Sequence, residues 1–106
     1  MAKGICYVET FSTTPEQDAE FNDWYDNIHL AEVVARPGFV SARRFAPAGP
    51  GKPYVAIYEI ESDDIQKSVD DMMDYYRGGG FRMTDAMQTD PPAVVLTYVT
   101  TTEFPA

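Results

Sequence analysis

The chain has 106 residues, and 17 Asp and Glu against 8 Lys and Arg give it a net charge of -9 at pH 7. With 44% hydrophobic and 13% aromatic residues, it can build the core of one small domain spanning 1–106. The acidic balance excludes nucleic acid and anionic membranes as partners, because phosphate recognition needs a basic footprint, and no apolar run approaches the roughly 18 residues of a bilayer span.

Gly4 to Phe11 is dense in β-branched and aromatic residues and predicts a first strand. A helix start follows, with Thr14 as N-cap, Pro15 at the first helical position, Glu16 in the first turn and Gln17 as capping-box partner. Phe21, Trp24, Ile28, Ala31 and Ala35 recur at helical spacing and predict one apolar stripe. Leu30, Val33 and Val34 fall off that stripe, which requires either a bend before the helix ends or a second surface over its last turn. Arg36-Pro37-Gly38 ends the helix, because the residue before proline avoids the helical region.

Phe39 to Phe45 predicts a second strand and Tyr54 to Glu61 a third, joined by a loop rich in proline and glycine. Ser62 is the expected cap of a second helix, with Asp63 and Asp64 in its first turn. Ile65, Val69, Met72, Met73 and Tyr76 form its inward face, the methionines filling core, and Gly78-Gly79-Gly80 stops it. Residues 81–92 read as irregular, with one short helical turn at most, and Ala93 to Thr102 as a last strand. The glycine run lacks the lysine of a phosphate loop; it can instead hinge a lid over residues 81–90, with Phe81 and Met83 as apolar covers.

The order β-α-β-β-α-β is the ferredoxin-like arrangement, an α+β fold with one four-stranded antiparallel sheet and both helices on one face. The second sheet face is also apolar. Val55 and Ile57 oppose Tyr54, Ala56, Tyr58 and Ile60, while Val94, Leu96 and Tyr98 oppose Val95, Thr97 and Val99. Left wet, this face would exceed the patch that monomers tolerate, so a two-fold homodimer through the open sheet face is expected.

The helix residues Phe21 to Val33 (Phe-Asn-Asp-Trp-Tyr-Asp-Asn-Ile-His-Leu-Ala-Glu-Val), with Pro37-Gly38-Phe39 and Ala42-Arg43-Arg44-Phe45 after them, resemble EthD-like members of the dimeric α+β barrel superfamily. In that pattern a Trp-Tyr-x-x-x-His helix leads through a Pro-Gly-Phe turn into the second strand. The likeness covers residues 5–61, and the rest by element order; Ala31 stands where many relatives carry proline. It implies two sheets packed face to face and, in each protomer, a cavity between sheet and helices. The motif specifies fold more than reaction. The superfamily includes cofactor-free monooxygenases, polyketide cyclases, isomerases, decarboxylating or dehalogenating enzymes and haem-degrading enzymes.

Tyr25 and His29 lie about 60° and about 100° around the helix from Ile28, at the edge of the stripe and beside Asn22, where they can look into a cavity. His29 is the sole histidine; with an intrinsic pKa of about 6.5 it suits general acid–base work, and Tyr25 can hold or polarise a substrate oxygen. The alternative is a half-buried histidine bonded to backbone near Pro37. Trp24, Tyr7, Tyr58, Arg43 and Tyr98 are the candidate substrate-binding residues, since a small apolar or aromatic ligand needs a broad wall and a few fixed donors. For the tyrosines, packing across the dimer interface is the alternative. Arg43-Arg44 puts one guanidinium on each sheet face, one of them pairing with Glu9 or Glu59.

Asp26 and His29 have the i, i+3 spacing of carboxylate–histidine metal helices, but the further carboxylate helices are missing. No metal is expected, and Asp26 is assigned to a solvated face. Cys6 reads as an inert core thiol in a reducing compartment. With no signal-peptide core at its start, the chain is expected to be cytoplasmic. No cofactor motif is present. Haem is not expected, because His29 is the only imidazole and, by the resemblance, its helix is not the one haem-degrading relatives use. The expected function is that of a small cofactor-independent enzyme acting on an aromatic or polyketide-like molecule, with His29 as general acid or base. Two alternatives stand beside it: a non-catalytic small-molecule-binding protein, and a stress-associated dimeric module that binds another protein.

Overall fold

Strand β1 (Ala2–Thr10) alternates strictly in the computed structural model, which describes residues 1–106: Gly4, Cys6, Val8 and Thr10 are buried, and Lys3, Ile5, Tyr7 and Glu9 point the other way. It pairs antiparallel with β3 (Tyr54–Ser62) on one side and β4 (Val94–Val99) on the other. Strand β2 (Phe39–Phe45) adds outside β3, giving the order β2-β3-β1-β4. This is the ferredoxin-like sheet that the element order predicts. β1 starts two residues earlier than its β-formers suggest, and β4 is shorter than the expected 93–102. Gly4 has a steric reason: a Cβ there would strike the Tyr98 carbonyl and the Ile65 side chain.

The first helical layer is not one regular helix. A 3-10 turn (Pro15–Gln17) leads into α1 (Asp18–Trp24), a π turn (Tyr25–His29) and α2 (Leu30–Val34). Thr14 has the extended backbone of a cap, but its hydroxyl donates to the Gln17 side chain at 3.0 Å and caps no backbone N–H, so the expected capping box does not form. The expected stripe holds only as far as Trp24. Ile28 is half-buried and Ala31 and Ala35 are exposed, whereas Tyr25 and Val33 are buried. The inward row is Phe21, Tyr25, His29 and Val33, four residues apart. In an unbroken α-helix that row would drift about 120° around the axis over its length. A single i→i+5 turn absorbs an extra residue and cancels most of the drift. The π turn is thus the irregularity that the off-stripe Val33 required.

The second layer is α3 (Ile65–Arg77), and its cap is Asp64, not Ser62. The Asp64 carboxylate accepts from the Lys67 N–H at 3.0 Å, while the Ser62 hydroxyl closes β3 and accepts from Ser68 at 2.8 Å. Ile65, Val69 and Met72 are buried and Met73 and Tyr76 half-buried, as the periodicity predicts. Gly79, at φ 80°, supplies the left-handed residue that ends the helix. Residues 81–93 contain no helical turn. They cross between the helices and return to the sheet, Thr13 N–H donating to the Ala86 carbonyl at 2.7 Å and Gln88 N–H to the Phe11 carbonyl at 2.9 Å. No helix is long and apolar enough to cross a membrane.

Candidate functional site

Between the sheet and the two helical layers lies a cavity of about 140 Å³. Val8, Thr10, Tyr58 and Val95 form its sheet side, Tyr25, His29 and Val33 one wall, and Met72, Met73 and Tyr76 the other. Phe81, Met83, Met87, Thr89, Pro92 and Ala93 close the remaining side, and the exposed Met83, Thr89 and Pro92 mark the mouth.

The π turn sets the His29 ring in an aromatic box. The imidazole stacks on Trp24, with centroids 4.6 Å apart and planes at 18°. It meets Tyr25 edge-on at 4.9 Å and Phe81 at 5.3 Å. Its Nδ1 is buried with no hydrogen-bond partner, so it is not the backbone-bonded histidine of the alternative reading. An orphaned polar atom of this kind costs about 1–3 kcal/mol. Burial, and after it the charge of Arg44, lowers the His29 pKa from 6.5 to about 4. The ring is therefore neutral at pH 7, not poised near neutrality as its intrinsic value suggests.

Beside it, the Tyr58 hydroxyl donates to the Tyr25 hydroxyl at 3.2 Å, both side chains being about 1% exposed. Whichever hydroxyl donates, one proton of the pair is left without an acceptor in the protein. Burial raises the Tyr25 pKa, against the opposing pull of the Tyr58 hydrogen bond and Arg44. The Arg44 guanidinium sits 4.3 Å over the Tyr25 ring and donates to Asp26 at 2.7 Å and to Asn22 at 3.0 Å. Asp26 is therefore the acid that pairs with the inner arginine, in place of Glu9 or Glu59, and is not simply solvated.

His29, Tyr25 and Tyr58 thus come together on one cavity. Trp24 lies behind the imidazole, where its Nε1 donates to the Arg82 carbonyl at 2.8 Å and clamps the covering segment. Tyr7, Arg43 and Tyr98 do not join them. Strand parity turns all three to the open sheet face, where Tyr7 donates to Glu9 at 2.8 Å and Arg43 lies over Phe45. For Arg43 the cause is local. Counted from buried Phe39, alternation would turn Arg43 inward, but a bulge between Phe39 and Ser41 flips the parity and brings in Ala42 and Arg44. Sequence reasoning also missed Val33 and the methionine-rich side of the cavity; the four-residue spacing of Phe21, Tyr25, His29 and Val33 was the available signal for the first. No three His, Cys, Asp or Glu side chains converge on a metal-sized site. Burial pushes the Cys6 thiol up to about 12, an unreactive state.

Solved structures share this architecture. Rv0793 from Mycobacterium tuberculosis superposes with a TM-score of 0.60 at 16% identity, over 95% of this chain and 98% of that one. A candidate monooxygenase from Shewanella loihica PV-4 gives 0.60 at 12%, over 96% and 97%. The haem-degrader MhuD (Rv3592) from M. tuberculosis, solved with two haems in its active site, gives 0.62 at 16%, over 93% and 97%. At these identities the likeness shows the fold alone, a four-stranded antiparallel sheet with its helices on one face. No family model and no curated protein matches the sequence.

Proposed function

We propose that the protein is a small monooxygenase-like enzyme, close to the EthD-like type, that takes an aromatic or polyketide-like molecule into this cavity and works without a bound cofactor. One observation carries the reading: an apolar hollow lined by the chain's only imidazole and by the paired hydroxyl-bearing rings of Tyr25 and Tyr58. With a pKa of about 4, His29 stands wholly in its base form at pH 7 but is a weak base. Taking a proton from a phenol-like group of pKa about 10 would then run uphill by about 8 kcal/mol if nothing compensated the charges. Two features offset that cost: the imidazolium would lie against the substrate anion, and the spare tyrosine proton can donate to it. His29 therefore holds and moves the proton, Tyr25 and Tyr58 orient the oxygen, and the aromatic box shields the half-buried imidazole from most of the solvent.

Haem, which MhuD binds, does not fit these residues. An apolar cavity of about 150 Å³ holds a benzene ring, and this one, at about 140 Å³, is far smaller than a tetrapyrrole.

The protomer is also proposed to pair with a second copy through its open sheet face. Val94 is 44%, Leu96 40% and Tyr98 52% exposed there, a surface that a facing sheet would cover. Sedimentation at micromolar concentration is expected to give a dimer. For the chemistry, a thermal-shift screen of phenols and polyketide-like aromatics comes first; a ligand at one hundred times its Kd raises stability by about 2.7 kcal/mol. Oxygen uptake with each hit is then compared between wild type and His29→Ala. Turnover is expected to be lost in the variant while binding persists. Equal turnover removes His29 as the base, and hits that bind without any turnover leave a ligand-binding protein.

A further inference from the structure

The chain has five methionines, and all but Met1 line the cavity. Met72 and Met73 come from α3, and Met83 and Met87 from the covering segment. The wall across from them is of another kind. Tyr25 and His29 are flat rings locked by stacked and edge-on contacts and by the Tyr25–Tyr58 hydrogen bond. A thioether side chain is unbranched, turns about three bonds and fills irregular volumes, whereas a β-branched side chain is stiff at its first torsion. One side of the hollow is therefore rigid, and the four thioethers make the other deformable.

The backbone beneath the soft side is held. Glu32 accepts from the Arg82 N–H at 3.0 Å, Trp24 donates to the Arg82 carbonyl at 2.8 Å, and Thr13 N–H donates to the Ala86 carbonyl at 2.7 Å. Pinned at these points, the segment leaves changes of cavity shape to the methionine side chains, and Met83, 41% exposed at the mouth, is the freest of them.

Resting on the reading of this cavity as a ligand site, we infer that the four methionines are its size gauge. At rest they leave room for a single ring; by changing rotamer they admit a fused two-ring guest, while the rigid wall keeps its geometry at His29. Specificity among one- and two-ring guests then follows from the stiffness of the methionine wall.

Benzene and naphthalene test this, since neither carries a polar group and neither needs His29 as a base. In protein labelled at the methionine methyls with ¹³C, naphthalene is expected to move four methyl signals and leave Met1 in place, and to bind at least as tightly as benzene. Met72→Ile and Met73→Ile stiffen the wall and are each expected to weaken naphthalene about tenfold while sparing benzene. Met73→Leu, unbranched at Cβ, is expected to keep both; Met73, half-buried, also supplies the variant to read if Met72→Ile does not fold. Exclusion of naphthalene while benzene binds, or equal weakening of both by isoleucine, overturns the gauge and leaves the cavity reading standing. Failure of both to bind wild type removes the cavity reading and the gauge with it.

Discussion

In α3 the Asp64 carboxylate caps the helix, and Gln66–Asp70 and Lys67–Asp71 contacts brace its exposed side, at 2.9 and 2.7 Å. The α1–α2 layer has no side-chain cap and, besides the local Asn22–Asp18 and Asn27–Asp23 bonds at 3.0 and 2.8 Å, takes its bonds from distant residues. Asn22 donates to the Tyr54 hydroxyl at 3.2 Å, Arg44 bonds Asn22 and Asp26, and Trp24 reaches Arg82. One helix is held by neighbours in sequence and the other chiefly by neighbours in space. The difference falls where the candidate chemistry lies. A regular helix buries a regular stripe; a helix that must present Tyr25, His29 and Val33 to one hollow has to widen, and π turns of this kind are frequent at functional sites.

Three perturbations would break or sharpen that contrast. The largest effect is expected for Phe21→Ala, which empties a fully buried position in the spatially held layer; urea unfolding should show a loss of about 3–5 kcal/mol. A smaller loss would mean the layer closes over the gap and is less dependent on distant contacts than its bonds suggest.

Next comes the pH response of His29. Its pKa is about 4 in the fold against the ordinary 6.5 of a solvated imidazole, so on acidification the unfolded chain takes up the proton first. Its contribution is whole above pH 6.5 and is lost as pH falls toward 4, by up to about 3 kcal/mol. His29→Gln should lack this part of the acid loss, so unfolding of both proteins at pH 7 and pH 4.5 isolates it; parallel curves would show that the imidazole is not desolvated in solution. The smallest effect belongs to the locally specified helix. Asp64→Ala should cost about 1 kcal/mol through the lost cap and leave ligand affinity unchanged, since Asp64 does not line the cavity. A change in affinity would tie the α3 cap to the site.

Much of the fold was legible because its signals are short-range. The β-former runs marked the strands, the spacing of Ile65, Val69, Met72, Met73 and Tyr76 marked the face of α3, and Trp24, Tyr25 and His29 stood out as a cluster. Other features were open until the chain was folded. Ser62 and Asp64 are both good caps, and the choice between them was made when Ser62 paired with Ala2 at the end of β3. Arg43 and Arg44 differ only in parity, which a bulge one turn of the pleat away reversed.

Alternation, helical spacing and element order are carried by covalent neighbours, so the amino-acid order alone determined the β-α-β-β-α-β architecture and the presence of His29 on a sheet-facing helix. The widened turn, the inward guanidinium, the unpartnered imidazole nitrogen and the hollow lined by methionines were decided by tertiary packing. Each is a relation between surfaces from different parts of the chain: the burial that lowers the His29 pKa arises only when Trp24, Tyr25 and Phe81 close around the ring.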